Sequence, residues 1–336
     1  MSEGTPVAAL PGPAWTAGAA SDAGLVRGRN EDRFWMDDAR GVFLVVDGLG
    51  GHAAGELAAE TAVQTIRESL LEGSPAALAP QCPEARVRRA IACANNRIFE
   101  LAQEAGERKG MACVLTLALV EDKTITIGHV GDSRLYLIWK SAIRKLTSDH
   151  SPVGEVEDSG ELSEEEAMLH PRRNEVFRDV GSRRREPDDA DFVEIRQCRF
   201  HSDAAILLCS DGLTDRLTSA RVREIVDRYD GDATRVAAEL VDAANRAGGQ
   251  DNITALLVAG AEFRGRHGIT RPRLGAGRET APFSAKGAPM GEGEAVCAPG
   301  SRTPFLRGRV AFLTYGILIG MLLWIALRAI AKGAAQ

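Results

Sequence analysis

Residues 124–139 read TITIGHVGDSRLYLIW, two β-rich runs (124–130 and 135–139) separated only by Gly131-Asp132-Ser133-Arg134. Alternation in the first run and the branched and aromatic side chains of the second are strand signals, and the tight connection is a hairpin signal. At least part of the sheet is therefore expected to be antiparallel. Working outward, residues 41–46 (GVFLVV), 113–120, 192–195, 204–209 and 253–258 also read as strands. Residues 54–71 and 83–105 read as helices, the first with Leu57, Ala58, Val63, Ile66 and Leu70 on one face. A second helical pair, 219–229 and 232–247, opens on a Ser and an Asp able to cap. The pattern predicts an α+β fold with several strands and two helix pairs.

Residues 149–191 break this pattern with few apolar side chains and many Glu, Arg and Asp. Their one clear helix starts at Ser163, which forms a capping box with Glu166. A polar excursion of that length inside a domain suggests a flap, counted here as residues 150–187.

Of the 336 residues, 44% are hydrophobic and 26% charged, which excludes wholesale disorder. The net charge of −6 is unevenly spread: residues 261–309 hold nine Lys/Arg against four Glu, Arg328 and Lys332 add two more positive charges, and residues 1–260 carry −13. A domain so acidic is a poor nucleic-acid binder and a better binder of cations. Cys82, Cys93, Cys113, Cys198, Cys209 and Cys297 include no CxxC pair, which suits a reducing compartment. Residues 1–22 have no basic residue and no apolar run. They are not expected to act as a secretory signal but read as a Pro/Gly/Ala-rich lead, with the domain counted from residue 17 to 260.

Residues 310–327, VAFLTYGILIGMLLWIAL, carry no charge over eighteen positions, with Arg302, Arg307 and Arg309 before them. At about 1.5 Å per residue this just spans a bilayer core, so a single membrane anchor is expected, reached through a basic Gly/Pro-rich linker (261–309) and followed by a short tail (328–336). The flanking charges favour a cytoplasmic N-terminal domain.

Five acidic sites share one context, a strand meeting a Gly or Asn turn: Asn30-Glu31-Asp32, Asp47-Gly48 after GVFLVV, Gly131-Asp132-Ser133, Ser210-Asp211-Gly212 after AILLC, and Gln250-Asp251-Asn252 before NITALLV. An apolar strand ending in Asp-Gly places a carboxylate at the rim of a sheet with a backbone carbonyl beside it, the oxygen-rich arrangement that holds hard cations. One such motif is usually only a turn. Five in an acidic domain point to a metal centre.

In order and spacing, Arg27-Gly-Arg-Asn-Glu-Asp32, Asp47-Gly-Leu-Gly-Gly-His-Ala-Ala-Gly-Glu56, Gly131-Asp-Ser-Arg134, Leu146-Thr-Ser-Asp-His150, Ser210-Asp-Gly-Leu213 and Gly249-Gln-Asp-Asn252 resemble the motifs of the metal-dependent protein phosphatases, the type 2C serine/threonine phosphatases, especially bacterial ones. The resemblance covers about residues 17–260 and implies an α-β-β-α sandwich, two central antiparallel sheets flanked by helix pairs, with the metal centre at one end. It implies two Mn²⁺ or Mg²⁺ ions, with room for a third. Asp47 would bridge the two ions, Asp211 and Asp251 would complete the first ion's ligands, and Glu31 and the Gly48 carbonyl would serve the second. Asp132 would help Asp211 hold the third, and Arg27 would grip the substrate phosphate.

Leu49 stands where some relatives carry histidine, leaving His52 either as proton donor or as a plain helix-start residue. His150 is expected to order the start of the flap, and Arg183, Arg184 and Arg185 to form a solvated loop rather than a contact for acidic phosphopeptides. Phe177-Arg178-Asp179 departs from the family's Leu-Thr-Arg and bears on substrate preference. The implied activity is hydrolysis of phosphoserine or phosphothreonine on proteins, opposing a cognate Ser/Thr kinase at the bacterial cytoplasmic membrane. A catalytically weak binding module and the phosphatase of an anti-sigma-factor switch are the alternatives. The complete acidic set, Glu31, Asp32, Asp47, Asp211 and Asp251, argues against the first.

Overall fold

In this computed structural model, residues 14–50, 53–71, 82–104 and 106–266 are described; His52 and the 310–327 segment lie outside them. Strands β1 (Trp15–Asp22), β10 (Ile253–Gly260), β9 (Ala205–Cys209), β6 (Arg134–Trp139) and β7 (Ala142–Lys145) form one antiparallel sheet in that order. The other sheet runs β2 (Arg33–Asp37), β3 (Val42–Leu49), β4 (Ala112–Glu121), β5 (Thr124–Val130), β8 (Glu194–Arg199). Side-chain alternation sorts the layers. Along β3, Val42, Leu44 and Val46 pack toward the helices α1 (Ala53–Leu71) and α2 (Pro83–Glu104), while Phe43 and Val45 fill the space between the sheets. Along β10, Ile253, Ala255 and Leu257 face the layer of α6 (Ser219–Val226) and α7 (Ala233–Arg246), and Leu256 and Val258 face the other sheet. Being covered on both faces, these strands read as continuous apolar runs.

The expected hairpin across Gly131–Arg134 does not form. β5 pairs with β4 and β8, whereas β6 pairs with β7 and β9, so this connection carries the chain from one sheet to the other. Gly131 turns it with φ 108°, where a Cβ would come within 2.2 Å of the Val114 side chain. β5 and β6 each belong instead to a hairpin closed elsewhere, at Asp122-Lys123 (φ 48° and 64°) and Lys140-Ser141 (φ 46° and 66°) respectively. Two consecutive left-handed residues match the right-handed strand twist, but Asp-Lys and Lys-Ser lack the Asn-Gly signature that would announce them.

Two boundaries also move. β1 lies within the stretch read as a lead and pairs with β10 from Trp15↔Gly260 to Asp22↔Ile253. Its small residues carry little strand propensity, and the pairing plus burial of Ala17 and Ala19 against the intersheet core override it. At the other end Phe263 is buried against Tyr229, ring centroids 5.3 Å apart, so the folded domain continues past residue 260. Within the flap, the capping box at α4 (Glu164–Met168) forms as expected. α3 (Pro152–Asp158), started by Ser151 and by Pro152 at its first turn, was not expected. Among the described residues no helix is long and apolar enough to cross a membrane.

Candidate active site

β3 carries Asp47 and Gly48 just before its last residue, β9 runs into Ser210 and Asp211 at the start of α5 (Asp211–Thr214), β10 begins just after Asp251, and the 23–32 loop brings Arg27, Glu31 and Asp32 to the same end of the sandwich. Asn252 fastens that loop. Its Oδ1 accepts from the Glu31 N–H at 2.8 Å, and its Nδ2 donates to the carbonyls of Ala23 and Arg29 at 3.0 and 2.8 Å. Its own N–H donates to Asp251 Oδ1 at 2.8 Å. The Gln250-Asp251-Asn252 motif by itself gives Asn252 no task; its place directly after Asp251 is the available signal.

Asp32 is held from below. Its Oδ2 accepts from the Ser210 and Thr254 hydroxyls, each at 2.7 Å, while its buried Oδ1 has no hydrogen-bond partner. Asp211 likewise has an unpartnered buried Oδ1. Burial, then the charges of Asp32, Asp211, Asp132 and Asp251, push the Asp47 carboxyl well above the usual carboxylate range. Burial with Asp132, Asp215, Asp251 and Asp32 does the same to Asp211. Burial and the Asp149 charge raise Asp132 to about 7, and burial, partly offset by the two hydroxyls, raises Asp32 to about 6. Carboxylates crowded in this way cannot all ionise together unless cations share the space. Hard oxygen donors, two of them orphaned and buried, are the set that divalent Mg²⁺ or Mn²⁺ takes.

Glycines shape the other half of the cluster. A Cβ on Gly55 would lie 2.2 Å from Glu31 Oε2 and 2.9 Å from the Gly48 carbonyl oxygen; one on Gly48 would lie 2.2 Å from the Gly55 carbonyl oxygen. The helix α1 therefore approaches so closely that Glu31 and the Gly48 carbonyl meet across bare backbone. Gly55→Ala is expected to lower the apparent Mn²⁺ affinity by roughly 10–100-fold, as for lost outer supports of a metal site, with the fold retained. Metal titration of activity beside circular dichroism checks this, and an unchanged titration midpoint would refute it.

Arg27 sits on the rim with its side chain 53% exposed, and its Nη2 donates to Asp251 Oδ2 at 2.8 Å. Asp132 lines a small cavity of about 30 Å³ beneath the flap, together with Asp211, Arg134, Asp149 and Arg173. The sequence-predicted Glu31, Asp47, Gly48, Asp132, Asp211, Asp251 and Arg27 thus come to one end of the sandwich, and His52 falls outside the described residues.

His150 anchors the flap, as expected. Its N–H donates to the Gly131 carbonyl at 2.7 Å, its Nδ1 accepts from the Gly131 N–H at 3.0 Å, and its carbonyl accepts from the Phe177 N–H at 2.9 Å. Ligand atoms of His129, His150 and Glu194 lie within 4.8 Å of one another. This is not a second metal centre, because the ring nitrogens are committed and a cation already stands there. His129 contacts Thr116 Oγ1 at 2.9 Å and the Ser148 carbonyl at 3.1 Å, and Arg178 Nη1 lies 3.1 Å from His150 Nε2.

Burial, with His150 beside it, pushes the His129 imidazole from 6.5 down to about 4. The unfolded chain therefore takes up this proton near pH 6.5 and the folded chain only near 4, so acid favours unfolding. Urea unfolding should show the parent losing about 2 kcal/mol more than His129→Gln between pH 7 and pH 5. The cluster carboxylates titrate alike in both proteins and cancel; equal pH slopes would refute this.

The arginine run is not simply solvated. Arg184 and Arg183 are exposed, but the Arg185 side chain is 10% exposed, its guanidinium over the Phe192 ring at 5.0 Å. Asn95 and Asn96 of α2 donate to the Arg183 and Arg185 carbonyls, each at 2.8 Å. The run is fastened to the helix layer, a contact no charge pattern announces.

With the geometry in place, comparison with known proteins is direct. Residues 28–257 match the family model described as Protein phosphatase 2C. The serine/threonine phosphatase stp of Listeria innocua is 36% identical over 245 residues, covering 71% of this chain and 93% of that protein. The crystal structure of the Mycobacterium tuberculosis serine/threonine phosphatase PstP/Ppp superposes with TM-score 0.64 at 28% identity, over 74% of this chain and 99% of that one. A structure of the catalytic domain of PstP in complex with two manganese ions matches with TM-score 0.62 at 26% identity, over 73% of this chain and 97% of that one. The chain belongs to the protein phosphatase 2C family. Its enzyme class is that of the metal-dependent phosphoprotein phosphatases.

Proposed function

We propose that this chain hydrolyses phosphoserine and phosphothreonine on proteins with two Mn²⁺ or Mg²⁺ ions, and that it opposes a cognate Ser/Thr kinase from the cytoplasmic face of a membrane. The observation that carries the catalytic part is the convergence of Asp32, Asp211, Asp132 and Asp251 on Asp47, where burial and their charges raise its proton affinity, with a buried oxygen of Asp211 left without a partner. Asp47 would be the ligand shared by the ions, Asp211 and Asp251 would serve the first, Glu31 and the Gly48 carbonyl the second, and Asp132 with Asp211 would hold a third. Two divalent ions, when bound, make hydroxide available at neutral pH and offset the charge that develops on the phosphoryl oxygens.

The chain's own residues position. The hydroxyls of Ser210 and Thr254 hold Asp32 below the cluster, and Asn252 holds Glu31 and Asp251 together. Arg27, which here leans on Asp251, would be free to grip a phosphoryl group if that carboxylate held a metal, and its planar fork suits two oxygens. Leu49 follows Asp47-Gly48, so proton donation to the leaving oxygen falls to His52 or to solvent.

Phosphate release from a phosphothreonine peptide by the full chain, with Mn²⁺, Mg²⁺ or chelator, tests the reading. Turnover that vanishes with chelator is expected; none under any divalent ion, in folded protein, would overturn it.

Membrane attachment through residues 310–327 is supported by their eighteen uncharged positions and the arginines before them. The full chain should remain with membranes after a high-salt wash, and a chain ending at Arg309 should not. Recovery of both in the soluble fraction would refute the anchor.

A further inference from the structure

Between α5, the flap and the segment before β10 lies an opening of about 100 Å³ lined by Arg27, Arg173, Asn174, Asp215, Arg216 and Asp251, among others. Gly212, the neighbour of Asp211, also lines it, so it adjoins the predicted metal centre. Its three arginines are not alike. Arg27 bonds Asp251 at 2.8 Å, and Arg173 donates from Nε to Asp215 Oδ2 at 2.7 Å. Arg216 donates from Nη2 to the neutral Gln250 Oε1 and makes no ion pair within 4.0 Å among the described residues. Asp215 feels its charge, yet the Asp215 carboxylate is bonded by Arg173. The opening thus holds one guanidinium that, among the described residues, has no carboxylate within ion-pair distance, on the rim next to where a phosphoryl group would sit.

We propose that Arg216 is a specificity-determining residue that recognises an anionic group, carboxylate or second phosphoryl, on the residue flanking the phosphoserine or phosphothreonine. This rests on the phosphatase reading above and names its substrate class: acidic or multiply phosphorylated segments. A planar guanidinium offers parallel N–H donors to either anion, and exchanging a neutral amide for a charge-assisted pair favours binding. At a partly exposed rim the gain is modest, about fivefold in affinity.

The test uses the full chain with Mn²⁺ and three phosphothreonine peptides that differ only in the flanking residues, Ala, Glu or a second phosphothreonine, beside p-nitrophenyl phosphate. The parent should favour an anionic peptide over the Ala peptide by about fivefold in kcat/KM, through KM. Arg216→Gln should bring that ratio to about one, and Arg216→Lys should keep part of it. Preference for both anionic peptides assigns any anion, for Glu alone the carboxylate, and for the doubly phosphorylated peptide alone the phosphoryl group. Equal kcat/KM for all three in the parent, or a loss in Arg216→Gln that is the same for every substrate, would overturn the assignment. Failure to turn over p-nitrophenyl phosphate would instead remove the phosphatase reading, and this inference with it.

Discussion

Asp47→Asn is expected to lower Mn²⁺-supported phosphate release by roughly 10³-fold while leaving the metal-free fold at least as stable as the parent. The two effects have one cause. Asp47 lies near the end of β3 in a space where burial and four other carboxylates oppose its ionisation, so without metal its charge is a burden, and with metal it would be the shared ligand. An amide of the same shape relieves the first condition and removes the second. Mn²⁺ at about a hundred times its dissociation constant should add about 2.7 kcal/mol to the parent, a gain the variant should largely lose. Thermal unfolding with and without Mn²⁺, beside the activity assay, reads both. Asp211→Asn should behave alike, since its carboxyl is raised by burial and by three of the same neighbours, Asp132, Asp251 and Asp32, together with Asp215. Activity within tenfold of the parent in either variant would remove these residues from the metal centre.

The largest expected loss of stability belongs to Arg134→Met. Arg134 is the last residue of the connection between the sheets and begins β6. Its guanidinium, 12% exposed, donates from Nε and Nη2 to Asp149, with the Nη2 contact at 2.6 Å, and from Nη2 to Glu157 at 2.6 Å, while Nη1 reaches the Tyr136 hydroxyl at 3.2 Å. The Arg134 charge holds the Asp149 carboxyl below the usual carboxylate range despite its burial. Removing the guanidinium leaves Asp149 and Glu157, 5% and 10% exposed, sharing Lys145, 3.5 Å from Asp149 and 3.8 Å from Glu157. Breaking one partner of a buried ion pair costs about 3–5 kcal/mol, and urea unfolding should show a loss of that size. Arg134→Lys keeps the charge without the fork and should lose distinctly less. A loss below about 1 kcal/mol in the Met variant would mean that the network does not hold the flap base.

Much of the candidate site was legible in the chain because its signals are local. An apolar strand that ends in Asp-Gly or Ser-Asp-Gly puts a carboxylate at a sheet rim whichever sheet the strand joins, and Asp47 and Asp211 were found that way. The Ser163–Glu166 capping box was equally local and formed as read. What escaped is non-local. Ser210 and Thr254, which hold Asp32, lie 178 and 222 residues from it. Gly55 was part of a quoted motif, but only the approach of α1 to Glu31 shows why a side chain there is excluded. Arg216 sits in no motif, and its want of a carboxylate partner is a statement about what surrounds it.

The sequence by itself determined where the central strands and the four long helices begin and end within a few residues, which side chains are apolar, and the order of the acidic motifs. These depend on neighbours one to four positions apart, through strand alternation, helix periodicity and capping. Only the tertiary structure decided that residues 124–130 and 135–139 belong to different sheets and that residues 15–22 form a strand. It also decided which of the carboxylates share one field. Strand partners are chosen by the surfaces they bury together, and proton affinities by distances through space; both join residues far apart in the chain, and no local pattern encodes them.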